Sequence, residues 1–156
     1  MRIEIWTVGK TRSSWIREGM QVYLKRIGRF ARVSETIIAA EKSGDDTQII
    51  QRESARILAQ LEKAPQMFTF LLDETGKQWS SPELAGQLDA AMHARGPRLR
   101  FIIGGAYGVN DEVKQSVDSQ LSLSRLTFPH ELVRVIFLEQ LYRAFTILRG
   151  ESYHHT

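Results

Sequence analysis

The long pattern that follows His130 and ends at Gly150 reads as a helix that is apolar on almost every side. Leu141, Ala144, Phe145 and Leu148 mark one stripe, continued a turn or more earlier by Val133, Phe137 and Leu138. Leu132, Val135, Ile136, Tyr142 and Ile147 fall on other faces. A surface helix shows one apolar stripe, whereas a helix apolar on most sides is buried on most sides. One face can pack on a sheet. The other needs a second cover, and a second subunit is the simplest candidate. Yet Arg134, Glu139, Arg143 and Arg149 share the helix, and buried charges are costly unless paired or turned toward a wet site. The helix is therefore expected to be core, interface and site wall at once. Before it come an alternating run, Leu121-Ser122-Leu123-Ser124-Arg125-Leu126, and a turn, Thr127-Phe128-Pro129-His130. After it come Gly150 and a short tail with Tyr153, His154 and His155.

The rest of the chain alternates between strand and helix patterns. Residues 2 to 8 alternate polar and apolar and predict a strand. A loop, Gly9-Lys10-Thr11-Arg12-Ser13, leads to a helix capped by Ser13 or Ser14, with Ile16, Met20, Tyr23, Leu24 and Ile27 inward and Gly28 as its stop. Residues 31 to 40 suit a second strand. A polar loop follows, and Asp46 or Thr47 caps a helix reaching about Lys63. Residues 67 to 73 form a nearly continuous apolar run, as in a strand covered on both faces. Residues 74 to 79 read as a loop. Ser81-Pro82-Glu83 starts a helix that ends near Gly96-Pro97. Residues 99 to 103 are a further strand, broken at Gly104-Gly105-Ala106-Tyr107-Gly108. Asn110-Asp111-Glu112 then starts a helix that delivers the chain to Leu121.

Five such alternations predict an α/β fold: a mostly parallel sheet with helices on both faces. No repeat or linker divides the chain, so a single domain over residues 1–156 is expected. Ligands of such sheets collect outside the carboxyl ends of the strands. Four loops qualify, after Val8, Asp73, Ile103 and Leu126. A hydrophobic content of 42% and a charged content of 25% are those of a soluble globular protein. The net charge of +3 permits a nucleic-acid partner without requiring one. With no cysteine, disulfides, thiolate metal sites and cysteine nucleophiles are excluded. No signal peptide and no membrane-length apolar run is visible, so a cytoplasmic protein without a membrane partner is expected.

Taken singly, the motifs have ordinary explanations. Gly104-Gly105-x-x-Gly108 lets backbone approach a ligand closely, but a plain tight turn accounts for it equally well. It is not the dinucleotide fingerprint G-x-G-x-x-G. His130 fits a strand-to-helix turn, and the tail around Tyr153 and His154 fits a frayed terminus that adds little to the core. The basic residues Lys10, Arg12, Arg17, Lys25, Arg26, Arg29 and Arg32 fit a solvated face or a phosphate-tracking surface.

Together and in order, they form a recognisable series: Val8-Gly9-Lys10, Leu72-Asp73-x-x-Gly76-Lys77, Ile103-Gly104-Gly105-x-x-Gly108, Leu123-Ser124-x-Leu126-Thr127-Phe128-Pro129-His130, Val133-Arg134-Val135, Glu139-Gln140-Leu141-Tyr142-Arg143-Ala144 and Arg149-Gly150-Glu151-x-Tyr153-His154. This series resembles the RlmH (YbeA-type) family over the whole chain. Those proteins are S-adenosylmethionine-dependent methyltransferases of the SPOUT class. They methylate N3 of a pseudouridine in the 23S ribosomal RNA of the large subunit. The resemblance implies a carboxy-terminal trefoil knot (a SPOUT-like α/β knot), which periodicity alone does not reveal. It implies that Leu72, Gly104, Leu123, Ser124, Arg125, Leu126, Thr127 and Phe128 bind S-adenosylmethionine, with no metal. It implies that Arg143, Tyr153 and His154 serve the acceptor, His154 as the leading base. It also implies a homodimer whose partner completes the site, acting on the large subunit or the assembled ribosome. One departure is His155, which stands where the family leads one to expect Arg or Lys.

Two other classes compete. A non-catalytic RNA- or ribosome-binding domain retaining the knotted fold predicts decay of the Gly104 and 123–128 segments, which are intact. A flavodoxin-type domain predicts a Ser/Thr-rich phosphate loop after the first strand, of which Gly9-Lys10-Thr11-Arg12-Ser13-Ser14 is a faint version.

Overall fold

In the computed structural model, which describes residues 1–155, five strands alternate with five helices. The strands are β1 (Arg2–Val8), β2 (Arg32–Ile38), β3 (Phe68–Gln78), β4 (Arg98–Ile103) and β5 (Ser119–Ser122). The helices are α1 (Ser14–Ile27), α2 (Asp46–Lys63), α3 (Ser81–Arg95), α4 (Asp111–Ser116) and α5 (Leu132–Leu148). The sheet runs β2-β1-β4-β3-β5 and every pairing in it is parallel.

Alternation within the strands sets the layers, because successive side chains point to opposite faces. Ile3 and Ile5 of β1, Phe70 of β3 and Leu99, Phe101 and Ile103 of β4 join one core, against apolar residues of α1, α3 and α5. Trp6, Val8, Leu71 and Ile102 join a second core, with Ile57 of α2 and Val113 of α4. A sheet buried on both faces explains why its central strands read as continuous apolar runs. The second face also holds a buried ion pair. Arg100 Nε donates to Glu4 Oε2 at 3.0 Å, and its guanidinium lies 4.4 Å from the Trp6 ring centre.

Helix α5 packs against both α1 and α3. That neighbourhood supplies much of the second cover its composition calls for. Tyr142, on one of the faces away from the main stripe, is buried within the chain among Tyr23, Phe30 and Tyr153. Of the charges of α5, Glu139 and Arg143 pair with each other, while Arg134 is met by neutral acceptors. Arg134 is fully buried, its two terminal nitrogens donating to Val8 O and Thr11 Oγ1, both at 2.7 Å. Just before α5, the Glu131 carboxylate accepts the Arg12 and Ser13 N–H groups at 3.0 and 3.1 Å. It thereby caps α1 from a distance of more than a hundred residues, where Ser13 itself makes no side-chain cap.

Four local expectations change. The cap of α2 is Asp45, in a capping box with Gln48, and that of α3 is Ser80, in a capping box with Glu83. Strand β3 does not stop at Asp73. It continues to Gln78 across an irregularity in which both Leu72 and Lys77 pair with Leu121. Finally, β5 is Ser119–Ser122, and residues 123 to 128 leave the sheet. Serines turn the chain there: Ser122 Oγ donates to Ser124 O, and Ser124 Oγ accepts the Leu126 N–H.

Candidate active site

The carboxyl ends of β3, β4 and β5 lie side by side, and a cavity of about 310 Å³ opens beyond them. Its size is at the low end for small-molecule sites. Each strand contributes a wall. The β3 irregularity brings Leu72, Asp73 and Glu74; the loop after β4 brings Gly104 to Val109; the segment after β5 brings Leu123, Ser124, Leu126, Thr127 and Phe128. Ile103, Lys114, Leu121, Ser122, His130 and Val133 complete the lining.

The glycine turn is shaped by its neighbours. A Cβ at Gly104 would meet Val109 Cγ1 at 3.2 Å, and one at Gly105 would collide with the buried carboxylate of Glu53. Gly108 has φ +80°, a left-handed backbone that favours glycine. Helix α2 backs the same turn, since Ser54 Oγ accepts the Asn110 N–H at 2.9 Å. The wall is therefore close-approach backbone over apolar side chains, with a few charged groups at one side.

Those charges include Asp73 and Lys114, whose Nζ donates to Asp73 Oδ1 at 3.1 Å. Burial works against the charged form of Asp73, but the Thr75 hydroxyl and N–H, together with Lys114, outweigh it and hold the carboxyl below its usual range.

A second constellation lies further along α5. Glu139 Oε1 accepts from Arg143 Nη2 at 2.6 Å, Arg143 Nε at 3.1 Å and the Tyr153 hydroxyl at 3.2 Å. Gln140 Nε2 donates to the other oxygen at 2.6 Å. Arg143 lies over the Tyr153 ring, 4.9 Å from its centre, and reaches His154 Nδ1 at 3.5 Å. Tyr153 packs edge-on against Tyr142 at 4.7 Å. This part of the tail is packed against the core instead of frayed, which corrects the expectation from its position. Burial, then Tyr23 and Glu139, push the Tyr153 phenol up to about 12. It is thus protonated at neutral pH and acts as a donor. The Glu139 contact pushes the Arg143 guanidinium up further.

A family model described as "Predicted SPOUT methyltransferase" matches residues 1–154. The chain belongs to the SPOUT methyltransferase family. It is 43% identical over 155 residues to the ribosomal RNA large subunit methyltransferase H of Geotalea daltonii, covering 99% of this chain and 100% of that relative. It is 42% identical over 156 residues to the protein of the same name from Geobacter metallireducens, with 100% of both chains covered. A solved structure, of a probable methylase family protein from Haemophilus influenzae, matches with a TM-score of 0.55 at 8% identity, covering 99% of this chain and 70% of that one. That likeness shows the fold.

Within this SPOUT chain, the residues expected to bind the cofactor converge. Leu72, Gly104, Leu123, Ser124, Leu126, Thr127 and Phe128 line the one cavity, while Arg125 is exposed and outside its wall. Arg143 and Tyr153 line a separate groove, with His155, that shares no lining residue with the cavity; His154 meets Arg143 but is not part of the groove's wall. Sequence reasoning gave no role to Glu139, Asp73 or Lys114. Glu139 and Asp73 stand inside the quoted motifs, so the signal was a carboxylate beside residues already singled out. Lys114 had none.

Proposed function

We propose that the chain is a ribosomal RNA methyltransferase that binds S-adenosylmethionine in the cavity beyond β3, β4 and β5. It transfers the methyl to N3 of a pseudouridine in the large-subunit RNA. The observation that carries this reading is the convergence of three loops, distant in sequence, on one pocket of backbone and apolar walls. Such a pocket suits an adenine held by N–H and C=O groups between apolar side chains. The relatives' name supplies the substrate class.

Bound there, the donor supplies a methyl group already activated by positive sulfur, which keeps the bonding pair as the group leaves. The protein must hold the acceptor and manage its proton. An imide nitrogen attacks only after losing its proton, so a group beside it must accept that proton or stabilise the anion. Arg143 offers a fixed positive charge, oriented by Glu139. Tyr153 offers a phenol that remains a donor at neutral pH. His154, beside Arg143, is the proposed proton acceptor.

Donor cavity and tail lie apart along one helix. Val133 lines the cavity, and Arg143 stands ten residues on, about 15 Å at 1.5 Å per residue. A homodimer in which one copy's tail serves the other copy's cavity removes that separation. The reading includes such a dimer. Exposed Trp15 and Val22 on α1, one heptad apart, offer apolar surface for it. The reading also includes the carboxy-terminal knot and a cytoplasmic location, as in the family.

The test is calorimetric titration of S-adenosylmethionine into wild type and Gly104→Val. Wild type should bind, and the variant, with a branched side chain forced against Val109, should not. A folded variant that binds as wild type does would place the donor elsewhere.

A further inference from the structure

Asp73 and Lys114 form an ion pair on the cavity wall that methyl transfer itself does not require. Their geometry is lopsided. Lys114 Nζ donates to Asp73 Oδ1 at 3.1 Å and to Thr75 Oγ1 at 3.3 Å. An ammonium has three protons, so one remains without a partner among the described residues. The Thr75 N–H and hydroxyl also fall on Oδ1, leaving Asp73 Oδ2 with no partner among the described residues. Both side chains are mostly buried, with relative exposures of 23% for Lys114 and 7% for Asp73. Glu74, Tyr107 and His130 are the other titratable side chains on the wall. The pair is thus a fixed positive and negative charge, each with bonding capacity left over, on the cavity wall.

A zwitterionic amino-acid group is the complement of such a pair. We infer that Asp73 and Lys114 recognise the amino-acid end of the methyl donor, the Lys114 ammonium taking its carboxylate and Asp73 Oδ2 its ammonium. This rests on the proposal that the cavity binds S-adenosylmethionine. It adds the residues that select a donor carrying an intact amino acid over a nucleoside that lacks one. Thr75 and the β3 irregularity hold the pair in place, which gives that departure from a regular strand a role in specificity. Charge-assisted hydrogen bonds of this kind are about twice as strong as neutral ones.

The test compares two ligands neutral at sulfur, S-adenosylhomocysteine and 5′-methylthioadenosine. They share the nucleoside and differ in the amino-acid end. Calorimetry on wild type, Lys114→Met and Lys114→Arg reads both affinities. Lys114→Met should weaken S-adenosylhomocysteine by on the order of tenfold or more while changing 5′-methylthioadenosine by no more than about twofold. Lys114→Arg, which keeps the charge, should recover part of the loss. Equal weakening of both ligands would make Lys114 a structural residue only, and no weakening of either would remove it from the site. Both results overturn the inference. Failure of wild type to bind either ligand would overturn the underlying assignment of the cavity.

Discussion

Gly76→Ala should destabilise the protein, and the structure sets by how much. A Cβ at this position would sit 2.7 Å from the Leu121 carbonyl carbon and 2.8 Å from both Leu121 N and the Gln120 carbonyl carbon. All three are backbone atoms of β5, so no side chain can swing aside, and the β3–β5 seam must open. Overpacking of this kind costs about 1–3 kcal/mol. Against it stands about 0.4–1 kcal/mol gained by restricting the unfolded chain. Gly76 has no positive φ, so backbone strain adds nothing. The net loss is about 1–2 kcal/mol, or a fall in Tm of about 2–8 °C for a chain of this size. Urea unfolding followed by circular dichroism measures it. Gly86→Ala is the internal control: it lies in α3 with nothing within 4 Å of its Cβ, so it should stabilise by about 0.5–1 kcal/mol. Donor affinity should fall in Gly76→Ala alone, because Asp73 and Leu121 flank the displaced seam. A Gly76→Ala midpoint equal to or above wild type would refute the reasoning.

Arg134→Met should cost about 2–4 kcal/mol, since it strands the buried Val8 carbonyl and removes the donor to the half-buried Thr11 hydroxyl; a loss under about 1 kcal/mol by urea unfolding would contradict this. Asp73 has a depressed pKa in the folded state, so its contribution is present above the unfolded value of about 3.9 and is lost as pH falls through the folded value. The stability gap between wild type and Asp73→Asn should accordingly be larger at pH 6 than at pH 3, and a gap independent of pH would count against the ion pair. Glu139→Gln should change stability by less than about 1 kcal/mol, because the Arg143 pair is partly exposed, yet it should lower methyl transfer while leaving donor affinity intact. Equal losses in transfer and donor binding would show that Glu139 acts on the donor cavity instead of the tail.

The layers of the fold were legible because they follow from alternation. Strand β1 was read at the observed bounds, and the apolar runs announced a sheet covered on both faces. What escaped was set by contacts distant in sequence. The polar residues from Glu74 to Gln78 look like a loop, and pairing with β5 makes them strand. The alternation of residues 121 to 126 looks like strand, and serine hydroxyls turn the backbone away after Ser122. The charges of α5 posed a question with two kinds of answer: the terminal nitrogens of Arg134 reach β1 and the loop after it, and Arg143 pairs with Glu139 within its own helix. The over-apolar character of α5 pointed to a second cover, and α1 and α3 supply much of it. Site residues were recovered through resemblance, because no local pattern ties Leu72, Gly104 and Phe128 to one pocket. The Asp73–Lys114 pair, spanning 41 residues, was visible only in three dimensions.

Methyl transfer from labelled S-adenosylmethionine to purified ribosomal particles tests the central claim most directly. Particles from cells lacking the enzyme should be incubated with the protein, and the large-subunit RNA digested to nucleosides for mass spectrometry. Label is expected in a single methylated pseudouridine, abolished by Gly104→Val and sharply lowered by removing Tyr153 and the residues after it. A protein that binds the donor and the particle but leaves the RNA unlabelled would contradict it, and would make the chain an RNA-binding relative that keeps the fold without the reaction.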